Sequence, residues 1–185
     1  MKRFRSLLVL TSLLLMVFAV GANAQNRTGK EALSGRALEQ KIYKEILKLP
    51  NYGVFDFINF QVNGSTVVLD GKVNSLGTRR QAARVVRDIP GVTNVINNID
   101  DLPPSSFDAS IRRAAYREFH RSSLSRYLWE NRPGVRIIVE NGRITLEGYV
   151  ANSGDRNLFN ILANGIPGVF KVTNNLIVGR DSYRS

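Results

Sequence analysis

LDGKV, at residues 69–73, recurs as LEGYV at residues 146–150. Two further segments recur at the same separation of 77 residues: IPGV at 89–92 returns at 166–169, and VINNI at 95–99 returns as VTNNL at 172–176. A chance match over about thirty residues at a single separation is improbable, and two copies are too few for a solenoid. The sequence therefore predicts a tandem of two small domains.

Each copy has the pattern of a helix, a hairpin, a second helix and a strand. In the first copy, apolar residues at helical spacing precede a proline that ends the helix. These residues are Leu38, Ile42, Ile46 and Leu49, followed by Pro50. Alternating apolar residues then flank Asn63-Gly64, and in the second copy Asn141-Gly142. Asn-Gly between alternating segments predicts a hairpin, because both turn positions need a positive φ.

The spacing around the two turns predicts a difference in hairpin length. Phe60 maps to Val139 at a separation of 79, whereas Val67 maps to Ile144 at a separation of 77. An insertion in one arm alone would turn the apolar side chains to the other face of the sheet. We therefore expect the first hairpin to be longer than the second by one rung.

Charged residues flank the second turn. Glu140 precedes Asn141-Gly142 and Arg143 follows it. The alignment places the two charged side chains opposite each other on neighbouring strands. The sequence therefore predicts a weak cross-strand ion pair at this position.

The second helix of each copy completes the predicted fold. Thr78 and Asp155 are residue types that cap helices, and the helices are expected to begin near them. A strand, a crossover helix and a parallel strand imply a mixed sheet with both helices on one face. The predicted fold class is α+β, with two tandem αββαβ domains, each a small three-stranded mixed sheet with two helices on one face. Because a unit of about 65 residues has a small core, we expect the two units to contact each other.

The chain divides into six predicted segments. They are a signal peptide at 1–24, a flexible mature N-terminus at 25–35, a first domain at 36–101, a proline-rich linker at 102–106, a second domain at 107–178 and a C-terminal tail at 179–185. Two consecutive prolines make the linker semi-rigid.

The first segment has the three parts of a secretory signal peptide. Basic residues KRFR at 2–5 precede an apolar run at 7–20, and the small residues GANA at 21–24 follow. The apolar run is shorter than the roughly 20 residues that span a membrane. We therefore expect cleavage before Gln25 and export to the periplasm; an uncleaved N-terminal anchor is the alternative.

The composition excludes several classes of functional site. The chain has 185 residues, with 26 Lys and Arg against 15 Asp and Glu, a net charge of +11, one His and no Cys. Without Cys there are no disulfides, thiolate metal ligands or cysteine nucleophiles, and His120 alone cannot form a zinc site of several imidazoles. Because the sequence also lacks a nucleophile–base pair and a phosphate loop, we predict no catalytic residue, no cofactor, no metal site and no enzyme activity.

The repeated pattern resembles the BON domain. Both copies carry a hairpin that ends Leu-x-Gly-x-Val and a last strand that begins Pro-Gly-Val, and the resemblance covers about residues 36–178. The glycines of the family pattern correspond to Gly71, Gly91, Gly148 and Gly168. A glycine late in a strand usually marks a bulge or a close backbone approach, so we interpret these four as structural. With a signal peptide in front, the arrangement is similar to osmotically inducible periplasmic proteins.

The resemblance implies an αββαβ fold, a role in envelope maintenance and binding of anionic phospholipid, chiefly through a second domain. The sequence departs from related lipoproteins because no Cys follows the signal peptide, so no lipid anchor is expected. It also departs in spacing. Ile111 maps to Leu38 at a separation of 73, which places an insertion of about six residues near residues 121–126.

The first helix of the second copy carries a basic face. On a helical wheel, half of its surface holds four arginines, a tyrosine and the single histidine, without an acidic residue. Residues 105–185 carry 12 basic and 7 acidic residues, against 11 and 8 in residues 25–104. Arginine suits phosphate better than lysine does, and aromatic residues favour the head-group level of a membrane. The candidate lipid-binding residues are Arg112, Arg113, Tyr116, Arg117, Arg121 and Trp129; the alternative is a solvated charged face.

Two hypotheses for function follow. The first is a non-enzymatic envelope protein, peripheral at the membrane surface, whose second domain docks reversibly on anionic phospholipid head groups. The second is a protein-interaction or chaperone-like module that binds envelope proteins without lipid. Nucleic acid would also match the positive charge, but export makes it an unexpected partner.

Overall fold

The computed structural model describes residues 32–129 and 133–180. The predicted signal peptide at 1–24 lies outside the described residues. The elements of the first half are α1 (Gly35–Leu47), β1 (Phe57–Asn63), β2 (Thr66–Val73), α2 (Thr78–Arg87) and β3 (Asn94–Asp101). Those of the second half are α3 (Ser106–Arg121), a 3₁₀ helix (Ser123–Tyr127), β4 (Val135–Glu140), β5 (Arg143–Val150), α4 (Ser153–Asn164), β6 (Lys171–Asn174) and β7 (Ile177–Val178).

The two halves have the same sheet topology. In each sheet the second strand is central: β2 pairs with β1 antiparallel and with β3 parallel, and β5 pairs with β4 antiparallel and with β6 and β7 parallel. The prediction of an α+β fold with two tandem αββαβ units and mixed sheets is confirmed. The second sheet continues through the short β7, which also pairs with β5 and is separated from β6 by two residues.

Each domain has its own hydrophobic core between its sheet and its two helices. The first core includes Leu38, Ile42, Leu69, Val86 and Ile99. The second includes Ile111, Phe119, Ile137, Leu146 and Phe159, and the rings of Phe119 and Phe159 meet edge to face with centroids 4.9 Å apart. The 3₁₀ helix that follows α3 adds Leu124 and Tyr127 to this core, so the predicted insertion near residues 121–126 is packed into the domain.

The first hairpin turns at a different place from the one predicted. Asn63 pairs with Thr66, so the two-residue turn is Gly64-Ser65 and the prediction of an Asn63-Gly64 turn is wrong. Of these residues only Gly64 has a positive φ, of 63°, as in turns with glycine at the first central position. The predicted Asn141-Gly142 turn is confirmed, with φ of 51° and 72°.

The corrected turn changes the alignment of the two hairpins. Phe60 pairs with Leu69, and Ile137 pairs with Leu146, so Phe60 corresponds to Ile137 and the separation of 77 holds through both hairpins. The first hairpin has seven paired positions and the second has six, but the additional pair lies at the open end. The difference of one rung is therefore present, and its predicted origin beside the turn is wrong.

The starts of the second helices also differ from the expected caps. Thr78 is the first residue of α2, whose N-cap is Gly77. The N-cap of α4 is Asn152, whose side chain accepts a hydrogen bond from the backbone N–H of Asp155 at 2.8 Å. The prediction that Asp155 caps this helix is wrong, because Asp155 lies inside the first turn and faces the domain interior.

An asparagine of the last strand is tied to the second helix in both domains. The side-chain amide of Asn97 donates to the backbone carbonyl of Arg79 at 2.9 Å. Asn174 donates in the same way to the carbonyl of Arg156, also at 2.9 Å. The repeated Asn-Asn sequence is therefore structural, since its first residue joins the last strand to the first turn of the helix.

The two domains contact each other, as expected from their small cores. The N–H of Ile137, on the free edge of β4, donates to the carbonyl of Val54 at 2.8 Å. Val54 and Phe55, which precede β1, also pack against the second core. On the outer face of β4, Arg136 and Ile138 are buried although no helix covers that face. The first domain therefore covers part of the second sheet.

The predicted ion pair at the second turn is replaced by a pair between the domains. Glu140 and Arg143 are opposite each other in the register, as predicted. The carboxylate of Glu140 instead forms an ion pair with Lys72 of β2. Among the described residues, Arg143 has no acidic partner within 4.0 Å. The sequence could not predict this exchange because Lys72 belongs to the other domain.

Candidate functional site

The helix α3 is held against the second hairpin by its first turn. The side chain of Ser105 accepts a hydrogen bond from the backbone N–H of Asp108 at 3.1 Å and so caps the helix. The buried carboxylate of Asp108 accepts from the N–H of Asn141 at 2.9 Å and from that of Gly142 at 2.8 Å. These bonds fix the orientation of α3 relative to the sheet.

Arg112 is part of the same attachment, which corrects its prediction as an exposed lipid-binding residue. Its side chain is 6% exposed, and Nη2 donates to the carbonyl oxygen of Val139 at 2.7 Å. Burial lowers the pKa of Arg112 below the usual arginine value, while the charges of Asp108 and Asp56 oppose this shift. The helical wheel placed Arg112 on the outer half because it could not take the adjacent edge of β4 into account. Arg112 therefore joins α3 to the hairpin and is buried.

Tyr116 lies one turn further along the same side of α3. Its ring is half-buried and packs edge-on against Phe55 of the first domain, with centroids 6.3 Å apart. The exposed ring of His120 also stacks against Tyr116, with centroids 5.6 Å apart. Tyr116 therefore contributes to the contact between the domains, and only part of its side chain is exposed.

Three of the predicted arginines form a ridge on the outward face of α3. Arg113, Arg117 and Arg121 are exposed and spaced four residues apart, which places successive side chains about 6 Å apart along one line. Among the described residues, none of the three has an acidic partner within 4.0 Å. The ridge is thus a strip of three guanidinium groups outside these ion pairs, and the exposed Glu118 on the same helix is the acid closest to it in sequence. We refer to these three residues below as the arginine ridge.

Trp129 is highly exposed, at 73%, and lies at one end of a shallow groove beside α3. The groove has a volume of about 450 Å³ and is lined by Tyr116, His120, Ser125, Arg126, Leu128 and Trp129. The charge of Arg126 is compensated, because its guanidinium forms an ion pair with Asp155 at 2.6 Å. The groove therefore offers aromatic surface, whereas the arginine ridge offers net positive charge.

Asp155 is the centre of a polar network beneath this groove. Its carboxylate accepts hydrogen bonds from the hydroxyl of Tyr127 at 2.5 Å, from Arg126 at 2.6 Å and from Asn152 at 2.9 Å. Burial by itself raises the pKa of Asp155, but the bonds from Tyr127 and Arg126 outweigh it, so the pKa is lowered. The network supports the 3₁₀ helix and the start of α4.

A second basic surface was missed in the sequence. Helix α2 of the first domain exposes Arg80, Arg84 and Arg87, and none of them has an acidic partner within 4.0 Å among the described residues. The sequence prediction concerned only the first helix of the second copy and left these arginines out. In α1 the lysines are neutralised locally, since Lys41 and Lys48 both pair with Glu45. The count of arginines in TRRQAARVVR would have revealed this surface.

The four glycines of the repeated pattern lie where the backbone comes close to other groups. A Cβ on Gly71 would lie 2.1 Å from the carbonyl oxygen of Phe57, and a Cβ on Gly148 would lie 2.1 Å from that of Gly134. Both glycines also have positive φ, of 139° and 118°. A Cβ on Gly91 would meet the carbonyl oxygen of Leu33 at 2.1 Å, and one on Gly168 would lie 3.2 Å from the ring of Phe107. The atoms that crowd Gly71, Gly91 and Gly148 belong to the backbone, and those nearest to the exposed Gly168 belong to the side chains of Phe107 and Ile111.

Within residues 32–129 and 133–180, no three His, Cys, Asp or Glu side chains are grouped so that they could hold a metal ion. In the same part of the chain, no helix has the length and apolar character needed to cross a membrane.

Comparison with known families agrees with the repeated architecture. The sequence model described as the BON domain matches the chain twice, at residues 34–100 and 108–180. The chain belongs to the BON domain family. It carries two BON domains in tandem, and the first and second BON domains are named so below. BON domains are generally non-enzymatic and are associated with envelope or secretion-related proteins.

Matches among solved structures include two of CdsD, a structural protein of the type III secretion system of Chlamydia trachomatis. The C-terminal domain of CdsD is 14% identical, and the match covers 80% of this chain and 100% of that one with a TM-score of 0.31. A second CdsD structure is also 14% identical, with 78% and 93% covered and a TM-score of 0.31. The comparison with curated proteins found no match.

Proposed function

We propose that this protein is a non-enzymatic, peripheral component of the bacterial envelope whose second BON domain docks on anionic phospholipid head groups. The observation that carries the proposal is the arginine ridge: Arg113, Arg117 and Arg121 project from one helix face without acidic partners among the described residues. A guanidinium group can bind two phosphate oxygens at once. Trp129 adds an exposed aromatic ring of the kind that lies at the head-group level of a membrane.

The expected strength of docking is moderate. Each arginine near an anionic surface contributes up to about 1 kcal/mol, so three contribute at most about 3 kcal/mol, or roughly a hundred-fold in affinity. That strength supports reversible binding and not permanent anchoring. Because the attraction is between exposed charges, it should weaken with salt: the Debye length falls from about 10 Å at 0.1 M to about 3 Å at 1 M.

We place the protein in the periplasm on the basis of its N-terminal sequence. The basic segment, short apolar run and small residues at 2–24 are typical of a cleaved signal peptide. Mass spectrometry of the protein purified from its native cell should therefore give Gln25 as the first residue. Recovery of chains that begin at Met1 would instead support an uncleaved anchor.

The test of lipid docking is flotation of the mature protein with vesicles. Wild-type protein should float with vesicles that contain phosphatidylglycerol and not with pure phosphatidylcholine vesicles, and binding should decrease at 1 M salt. The combined substitutions Arg113→Glu, Arg117→Glu and Arg121→Glu should abolish flotation. All three side chains are exposed, so circular dichroism should show an unchanged fold.

The matched control is the triple variant Arg80→Glu, Arg84→Glu and Arg87→Glu in α2. It changes the net charge by the same amount at three exposed arginines of the first BON domain. The proposal requires this control to float nearly as well as wild type. Equal losses in both variants would mean that binding follows net charge and not the arginine ridge. If the wild-type protein does not float with anionic vesicles, the result favours the protein-interaction function.

A further inference from the structure

The outer face of the second sheet holds a groove that is separate from the arginine ridge. Along β5, Ile144 and Leu146 face the helices, so Arg143 and Thr145 face the opposite side. The groove there has a volume of about 220 Å³ and is lined by Lys72, Ile138, Glu140, Arg143, Thr145, Lys171 and Thr173. Helix α3, with its ridge, covers the inner face of the same sheet.

Two cations are adjacent on the floor of this groove. Arg143 of β5 and Lys171 of β6 are direct partners in the parallel register. Like charges at such positions repel each other. The nearest candidate for compensation is Glu140, but its carboxylate is paired with Lys72 of the first BON domain. Arg143 and Lys171 therefore have no acidic partner within 4.0 Å among the described residues.

Two hydroxyl groups extend the cation pair. Thr145 and Thr173 are partners in the same register, two residues further along the same strands, and both line the groove. Side chains two residues apart on a strand lie on the same face, so the four residues form a square of two cations and two hydroxyl donors. Ile138, which is 5% exposed, closes one side, and Lys72 reaches in from the other domain.

We propose that this groove is a binding site for a phosphate group. A tetrahedral oxyanion would remove the repulsion between Arg143 and Lys171 and accept hydrogen bonds from the threonine hydroxyls. The guanidinium of Arg143 suits two phosphate oxygens at once, and the ammonium of Lys171 supplies a point charge. The phosphate can come from a soluble phosphomonoester or from a lipid head group, and this site does not depend on the arginine ridge.

The first test uses soluble phosphate probes and amide NMR of the mature protein. Inorganic phosphate and glycerol 3-phosphate should each cause saturable shifts of the Thr145 and Thr173 amides, beyond those caused by chloride at equal ionic strength. The double variant Arg143→Gln with Lys171→Gln should weaken this binding at least tenfold. The matched control Arg80→Gln with Arg84→Gln removes two exposed cations from α2 and should leave the binding unchanged.

A third variant distinguishes a site with specific hydrogen-bond donors from non-specific electrostatic attraction of the anion. Thr173→Val keeps every charge and removes one hydroxyl, so it should weaken phosphate binding several-fold if the square of donors is used. Shifts that are not saturable, or that persist in the Arg143 and Lys171 variant, would overturn the proposal. Equal binding by the Thr173 variant and wild type would also overturn it, since only diffuse charge would remain.

Vesicle flotation then identifies the source of the phosphate. If the groove variant binds phosphatidylglycerol vesicles like wild type while losing the soluble probes, the site takes a soluble phosphomonoester. If it also loses flotation, the site takes a lipid head group. The ridge variant that tests the proposed function leaves the groove intact, so lipid docking can fail while soluble phosphate still binds.

Discussion

The guanidinium of Arg136 lies over the ring of Tyr52, with Cζ 4.2 Å from the ring centroid. The two residues belong to different BON domains, and the same guanidinium donates to the carbonyl of Gly53 at 2.6 Å. Arg136 is 6% exposed, so both interactions occur away from water, where cation–π contacts are strongest. This contact makes the stability of one domain depend on the other.

Arg136→Ala should therefore destabilise the whole chain. It removes a desolvated cation–π contact and a charged hydrogen bond, and we expect a loss of about 2–4 kcal/mol in the free energy of unfolding. Urea denaturation followed by circular dichroism measures this loss. The exposed Arg113→Ala is the control and should change stability by less than about 0.5 kcal/mol. If Arg136→Ala unfolds at the same urea concentration as wild type, the contact does not couple the stabilities of the two domains.

Arg112 and Arg113 are neighbours in sequence and should behave in opposite ways. Arg112→Ala leaves the carbonyl of Val139 without its donor and removes packed methylene groups, so we expect about 1–3 kcal/mol of destabilisation. Arg113→Ala should leave stability almost unchanged and reduce vesicle binding instead. Thermal melts and flotation of both variants check this reversal. If the Arg112 variant is stable but no longer floats, Arg112 contributes to lipid binding and the correction above is wrong.

Gly71→Ala tests the close backbone approach in the first hairpin. The added Cβ would lie 2.1 Å from the carbonyl oxygen of Phe57, at a φ of 139°, so the strands must separate locally. We expect about 2–4 kcal/mol of destabilisation. Gly64→Ala is the control because its φ of 63° is positive but nothing lies within 4 Å of the added atom. A cost of about 1 kcal/mol is expected there, and equal costs would contradict the steric explanation.

The lowered pKa of Asp155 predicts acid sensitivity. A carboxyl group whose pKa is lower in the folded than in the unfolded state stabilises the fold above its unfolded pKa of about 3.9. That contribution disappears as the pH falls through the lower folded value. The melting temperature of wild type should therefore drop on acidification, whereas Asp155→Asn should melt lower at neutral pH and drop less.

The control for this pH dependence is Asp88→Asn, which changes an exposed carboxylate at the end of α2. It should melt and respond to acid like wild type. Melting curves for the three proteins between neutral pH and about pH 3 provide the comparison. An Asp155 variant with the full acid response of wild type would show that the network around Tyr127 and Arg126 does not lower the pKa.

The fold could be predicted from the sequence because its signals are local and occur twice. Periodic apolar residues, the hairpin at Asn141-Gly142 and the repeated Pro-Gly-Val each act over a few residues. The errors lie where a partner from elsewhere in the fold decides the outcome. Arg112 was placed outside because the edge of β4 is not visible on a helical wheel. Glu140 was paired with Arg143 because Lys72 belongs to the other domain.

The first turn shows a different kind of error. Asn63-Gly64 is a strong turn signal by itself, but the register places the turn one residue later, at Gly64-Ser65. Phe60 and Val67 lie on the buried face in this register, and they would share that face with an Asn63-Gly64 turn as well, because the pairing differs by two positions. The apolar alternation is therefore compatible with both turns and does not select between them. The separation of 77 residues, applied without exception, would have given the correct turn.

The bond from the N–H of Ile137 to the carbonyl of Val54 has a consequence for the biogenesis of the chain. An uncovered strand edge is a template for pairing with another molecule, and β4 is the edge of the second sheet. On this edge, the carbonyl of Val54 accepts the N–H of Ile137, and the guanidinium of Arg112 donates to the carbonyl of Val139. Synthesis makes the first BON domain before β4, so an intramolecular cover is present when that edge forms. The first domain thus occupies part of the strand edge through which the second domain could otherwise pair with another molecule.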